Sequence, residues 1–529
     1  MKKYDIEKIS REVMYNGLFS EYLPENFNLD IDRIDIFQVQ IAKKNDFIEP
    51  YKYTMSRFSE NDKRRTISLP DITSYIDLMN YINEMGFIKE FLDISIESKQ
   101  SFSKLLQNNG ELYKHEEQYD QTKLKCENNT GDRVEAKSTF IPNIIKKMNI
   151  AKGAKGVLYL DISNFFGNIY THILPVIVLG YDETMKQFKL SSQNNSKLIN
   201  DNRYKRYVEL DKRIRMLNGN RTNGILVGPL ISKMIGEALL VEIDSEISKE
   251  GIKFTRFVDD YEVYIYDEGC IEQVTNTITN ILNKYYLNLN NEKSKYVKFP
   301  YYKVENLEKI IDSYGNIEAD PYELMEVFNK FFELETNGIK GAIRYLIKSI
   351  EKKEHKANEE IFSTYLLNVL VNDTRSLTKV CQLLIKEKDN IELDGNFVEI
   401  IENLLLSNID SKKDLEVIWL LYLMKSIGII DLKKDIAKKV IDSRNELAII
   451  ILIYEFDKLI YIEYENDYIK SAKSWILVYQ LFLRGDIKKE DFISRMGLKN
   501  NYNFYNHLKR EKFSFYKSIK NKQKTTPFI

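Results

Sequence analysis

KFTRFVDDYEVYIYDE, residues 253–268, is the stretch on which the fold turns. Asp259 and Asp260 stand between two runs rich in β-branched and aromatic residues. Phe254, Phe257 and Val258 precede them, and Tyr261, Val263, Tyr264, Ile265 and Tyr266 follow. Such flanks favour strands and an aspartate pair favours the turn between them, so the pattern predicts a β-hairpin with carboxylates at its tip. Carboxylates held that close repel, and a bound divalent cation is the usual remedy. A solvated acidic turn is the plain alternative for this stretch alone.

A second stretch, GVLYLDISNFFGNIYTHILP at 156–175, narrows the choice. An apolar strand (Val157, Leu158, Tyr159, Leu160) delivers Asp161 at its end, and Phe165 and Phe166 follow. Asp161 and Asp259 are far enough apart for their strands to be neighbours in one sheet with helices between. Three carboxylates converging at strand ends can hold two divalent ions about 3.5–4 Å apart, the arrangement of in-line nucleotidyl transfer.

These two stretches resemble motifs A and C of reverse transcriptases, in LDISNFF and FVDD. Between them NGILVGPLISKMIGEALLVEID (223–244) resembles motif B, with Gly228 and Ser232 in place. LNLNNEKSK (287–295) resembles motif D, and KRRTISLPD (63–71) the basic fingers segment. The motifs keep family order over about residues 60–300. Within the family the chain looks most like the bacterial abortive-infection group typified by AbiK. The local features are YTH at 170–172, GLFSEYLPENF at 17–27, and a long helical C-terminal half opened by NGIKGAIRYLIKSI (337–350).

The resemblance implies an α+β fold: reverse-transcriptase-like fingers and palm, then an all-α helical-repeat (HEAT-like) domain. The expected division is 1–60 leading into the fingers, 61–305 fingers and palm, and 306–529 helical repeat. Asp161, Asp259 and Asp260, with the Ile162 carbonyl, would ligate two magnesium ions, or manganese. Lys293 would protonate pyrophosphate. Lys63, Arg64 and Arg65 would hold the triphosphate; a solvated charge run is the other reading of them. Phe166 stands where the family places a ring beneath the sugar, which selects deoxynucleotides; a core phenylalanine is the competing view. Gly228 lets backbone approach the nascent base pair. Val227 departs from the family, which usually carries Gln there, and puts ordinary templated copying in doubt. The group makes DNA from dNTPs without a template, grows it as single-stranded product from a protein tyrosine, and assembles as homo-oligomers, trimeric or hexameric. Tyr15, Tyr22, Tyr51 and Tyr53 are N-terminal candidates for that tyrosine. A reverse transcriptase templated by a partner non-coding RNA is the alternative, and an interaction scaffold with a vestigial site is the alternative of another class.

Composition sets limits. Formal net charge is −1 with 30% charged residues over 529, so no global basic field captures long nucleic acid. Three scattered cysteines suggest reduced thiols in a cytoplasm, and four histidines share no metal-ligand spacing. No apolar run reaches the ~18 residues of a spanning helix, so no membrane is expected. His172 reads as a hydrogen-bonded structural residue. After Pro300 apolar residues recur at helical spacing without a fixed period, and no thumb signature is evident. The basic end, NHLKREKFSFYKSIKNKQK (506–524), can be a single-strand grip or a solvated helix.

Overall fold

Strands form where β-branched and aromatic residues cluster. β1 (Tyr51–Arg57) and β2 (Glu60–Leu69) make a two-stranded sheet. β3 (Gly156–Asp161), β4 (Phe254–Phe257), β5 (Asp260–Ile265) and β6 (Lys295–Lys298) make a four-stranded sheet in the order β4-β5-β3-β6, antiparallel throughout. The computed structural model describes residues 4–29, 34–41, 48–57, 60–106, 110–112, 140–192, 201–302, 306–339, 341–350, 359–389, 395–429, 432–456, 469, 471–497 and 501–519. Most of residues 108–136, a polar stretch whose sequence reads as a loop or a fingers insertion, lies outside them.

Two compact units emerge. The first is Met1–Ser20, Phe47–Pro50 and Ser68–Val304; the second is Glu21–Asp46, Tyr51–Ile67 and Glu305–Ile529. Most of the β1–β2 hairpin and the 21–46 segment group with the C-terminal half.

In the first unit α1 (Ile6–Asn16) is capped by the Asp5 carboxylate, which accepts from the Glu7 and Lys8 amides. α2 (Ile72–Glu84) is capped likewise by Asp71, and α3 (Phe87–Glu97) follows across Gly86. α4 (Phe140–Ile150) leads into β3. Then come α5 (Phe165–Asn168), α6 (Val176–Leu179), α7 (Tyr181–Ser192) and α8 (Asn202–Leu217). α9 (Leu230–Lys249) is buried along most of its length and packs on α3. α10 (Ile271–Lys284) buries Ile278, Ile281 and Leu282. α9 therefore backs the sheet as a core helix, which explains why its polar residues, discussed below, need partners.

The second unit is helical apart from the hairpin. Its helices are α11 (Leu307–Ser313), α12 (Pro321–Thr336), α13 (Ala342–Ile350), α14 (Glu359–Asn372), α15 (Leu377–Lys386) and α16 (Gly395–Asp410). They continue with α17 (Asp414–Ser426), α18 (Lys434–Asp442), α19 (Glu446–Glu455), α20 (Trp475–Arg484), α21 (Lys489–Met496) and α22 (Tyr502–Arg510). Pro321 at the first turn of α12, with Asp320 as cap, is a helix start written in the sequence. α17 is buried from Leu415 through Ser426, so it is the centre on which the others pack. Apolar spacing predicts a helix over Leu447–Tyr461; α19 ends at Glu455, and 457–461 lie outside the described residues. Phe513, Phe515 and Tyr516 are fully buried, so the aromatics of the basic end are core residues and present no stacking platform.

Candidate active site

The β4–β5 hairpin forms as its sequence predicts, with Phe257 opposite Asp260 and a two-residue turn of Val258 and Asp259. On its other side β5 pairs with β3, and the register sets Asp161 directly opposite Asp260. The β3 strand is held there because Val157, Leu158 and Leu160 are buried, which specifies its register. The Ile162 amide donates to the Asp259 carbonyl at 3.1 Å, fixing the turn to the end of β3. Sequence positions far apart thus deliver three carboxylates to one sheet edge.

The electrostatics follow from that crowding. Withdrawal from water, then the charges of Asp259 and Asp161, push the Asp260 carboxyl up to about 7 against the pull of Lys293. Asp260 keeps an open side, while Asp161 is buried. Lys293 Nζ lies 2.7 Å from Asp161 Oδ1. Its segment reaches β3 by main-chain bonds: the Ser163 amide donates to Asn288 and the Asn290 amide to Asp161. The resulting turn donates from the Lys293 amide to Asn290.

Oxygen donors alone, with Asp161 facing Asp260 across adjacent strands, suit a hard divalent cation. Among the described residues no three His, Cys, Asp or Glu side chains close around one point.

Phe166 is half-buried, its ring 5.1 Å from that of buried Phe165. A Cβ on Gly236 of α9 would come within 2.9 Å of Phe166 and 3.1 Å of Phe165, so glycine is required there for the rings to lie against the helix. A cavity of about 10 Å³ sits among Phe166, Lys233, Val258 and Ser103. Gly228 has φ 138°, open only to glycine, and the Val227 carbonyl accepts from the Ser68 amide at 2.7 Å. His172 Nδ1 lies 2.8 Å from Asp211, the structural role its sequence suggested.

Lys63, Arg64 and Arg65 lie on β2. Arg64 makes a bidentate pair with buried Glu416, at 2.6 and 2.7 Å. Lys63 and Arg65 are exposed. Sequence reasoning also missed a charged group behind the turn: Arg256, Glu237 and Asp244, all buried. A signal was available, since an arginine inside an aromatic strand and two acids seven apart on an apolar helix each need a partner.

No curated protein matches the chain. Among solved structures, apo telomerase from Candida tropicalis is 11% identical, with 74% of this chain and 68% of that chain covered and a TM-score of 0.32. Telomerase from Candida tropicalis in complex with a TWJ fragment of telomeric RNA is 12% identical, covering 73% and 65%, at 0.30. Telomerase from Candida albicans in complex with that fragment is 11% identical, covering 78% and 67%, at 0.29. This chain thus spans about two thirds of theirs, and TM-scores this low carry no argument about fold. Residues 103–326, which contain Asp161, Asp259 and Asp260, match the family described as reverse transcriptase (RNA-dependent DNA polymerase). The chain carries a reverse transcriptase domain, a polymerase domain of the nucleotidyl-transferring kind.

Proposed function

We propose that this protein is a DNA polymerase of the AbiK-like abortive-infection group, defending a bacterial cytoplasm against phage. The observation that carries the polymerase reading is Asp161 facing Asp260 across adjacent strands, with Asp259 in the turn and Lys293 on Asp161. Asp161, Asp259 and Asp260, with the Ile162 carbonyl, would hold two magnesium ions, or manganese, which when bound supply Lewis-acid activation of the α-phosphate. In the transfer a hydroxyl oxygen bonds to the α-phosphorus and its proton passes to water. The bond to the bridging oxygen breaks, and pyrophosphate leaves with a proton from Lys293 Nζ. Lys293 is 44% exposed, so it has room to swing from Asp161 to the leaving group. The Phe166 ring excludes a 2′-hydroxyl, and Gly228 leaves space beside the new base pair. By the family resemblance, Lys63 and Arg65 would contact the triphosphate.

The finer reading rests on the resemblance: synthesis without a template, growth from a protein tyrosine, a homo-oligomer, and a HEAT-like repeat in the helical half. Val227 in place of the family's Gln supports the untemplated mode. Burial argues against two of the N-terminal tyrosines as primers, Tyr22 at 6% exposed and Tyr53 at 1%. The Tyr51 hydroxyl accepts from the Glu446 amide at 3.0 Å.

The test is a gel assay with each labelled dNTP, magnesium or manganese, and enzyme pretreated with RNase. Product that survives pretreatment and stays on the protein, seen as added nucleotides by mass spectrometry, is expected. Product lost with RNase would favour the reading in which a partner non-coding RNA is the template. No incorporation by the wild type, with phage protection kept by the Asp259→Asn, Asp260→Asn double variant, would leave the scaffold reading.

A further inference from the structure

Val258, the residue before Asp259, has φ 54°, a left-handed conformation that β-branched residues rarely adopt. Its two main-chain polar groups are each held by a side chain from elsewhere. The Val258 amide donates to Ser103 Oγ at 2.8 Å, and its carbonyl accepts from Arg256 Nη1 at 2.9 Å. Both holders meet on one carboxylate: Glu237 Oε2 accepts from Arg256 Nη1 at 3.0 Å and from the Ser103 hydroxyl at 3.3 Å. The rest of the guanidinium is fixed by Asp244, whose oxygens lie 3.0 and 2.8 Å from Arg256 Nε and which also accepts from the Tyr261 hydroxyl at 3.0 Å. Arg256 is 0% exposed, Asp244 1%, Ser103 2% and Glu237 5%.

Stability alone does not call for such a group, since buried ion clusters exchange for well-packed apolar side chains at little or no loss. What an apolar replacement cannot do is bond the Val258 carbonyl and amide. The Val258 carbonyl belongs to the peptide that enters Asp259, so the guanidinium sets the direction in which Asp259 leaves the turn. Glu237 lies on α9 beside Gly236, against which Phe165 and Phe166 pack, so the same helix that backs those rings also holds the turn. Partners that orient metal-ligating carboxylates commonly govern metal affinity and rate.

We infer that Ser103 and Arg256, joined through Glu237, are positioning residues that set where Asp259 and Asp260 present their carboxylates. The inference rests on the polymerase reading. Ser103→Ala is the mild probe, because it removes one hydroxyl and keeps the charged group. It is expected to lower kcat about tenfold and to weaken manganese binding by a similar factor. KM for dNTP and the melting temperature stay near the wild-type values, and Ser103→Thr, which keeps the hydroxyl, restores both kcat and manganese affinity. Manganese affinity is read on the full-length protein by electron paramagnetic resonance, without nucleotide. A Ser103→Ala protein equal to wild type in kcat and manganese affinity overturns the inference alone. One that loses activity only as its melting temperature falls, with manganese affinity unchanged, also overturns it. A wild type that neither binds manganese nor incorporates nucleotide overturns the polymerase reading, and this inference with it.

Discussion

Asp260 is the residue at which folding and chemistry pull in opposite directions. Its carboxyl, ordinarily ionised near 3.8, is pushed up to about 7 by partial withdrawal from water and by Asp259 and Asp161. A raised carboxyl binds its proton more tightly when folded, so its cost to the fold is absent below the unfolded value. That cost grows as pH climbs from about 4 to 7 and is complete above. Asp260→Asn removes it. In metal-free buffer the variant is expected to melt higher than wild type by about 2 °C at pH 8, after discounting for the open side of the site, with little difference at pH 4. Equal melting at both pH values in differential scanning calorimetry would reject the repulsion. A second prediction concerns Phe166, pressed by Gly236 into one position. Phe166→Ala opens the space claimed for the 2′-hydroxyl. The ratio of ribonucleotide to deoxynucleotide incorporation should rise at least about tenfold, the range a lost apolar contact gives. An unchanged ratio in single-nucleotide extension would make Phe166 a core residue. The residue scale was also the most legible in the sequence. Asp161, Asp259 and Asp260 sit at strand ends that alternation and β-branching mark out, and their meeting needs only one antiparallel register. Arg256 stood in the same quoted stretch and was passed over, because a charge inside a strand announces a partner without saying which.

At the scale of elements, the β1–β2 hairpin is the one whose partners the sequence does not announce. A basic run before a proline suits a phosphate cradle, and nothing local distinguishes that from a structural pair. What decides is Glu416, 352 positions away, buried at 2% side-chain exposure and held by both Arg64 nitrogens. Thr54 on β1 is tied to Asp414 in the same way, its amide donating at 2.8 Å. No periodicity records a pairing between a strand and a helix so distant in the chain. Arg64→Ala would leave the Glu416 carboxylate buried without its cation, which costs about 3 kcal/mol. The expected result is a melting temperature lower by roughly 6 °C or more. If Arg64 instead served the triphosphate, the variant would melt like wild type and show a raised KM for dNTP. The strands of the larger sheet were legible for the opposite reason. β3 and β5 each carry their own burial pattern, and β4 and β5 are joined by a turn written in the two residues between them.

On the scale of the whole molecule, a chain read as fingers, palm and tail invites a cut near residue 305, but the second unit also draws on earlier segments. Glu21–Asp46 and Tyr51–Ile67, the latter most of the hairpin, fold as parts of the second unit. Within that unit the Tyr22 carbonyl accepts from Trp419 Nε1 at 2.7 Å, and the Phe27 ring lies 4.9 Å from that of Tyr516. Phe27, Tyr53 and Met55 are all buried at 4% exposure or less. A fragment of residues 1–304 would carry these side chains without α17 and the C-terminal residues that cover them, so their apolar surface would face water. Exposed apolar surface of this kind drives association. The fragment is therefore expected to aggregate or to bind a hydrophobic dye strongly, and to lose nucleotide incorporation although Asp161, Asp259, Asp260 and Lys293 are all present in it. Size-exclusion chromatography and the labelled-dNTP assay, run beside the full chain, read both consequences. A monodisperse fragment with full-length incorporation rates would show that the polymerase domain folds without the helical half. It would also make the Tyr22–Trp419 and Thr54–Asp414 bonds incidental to it.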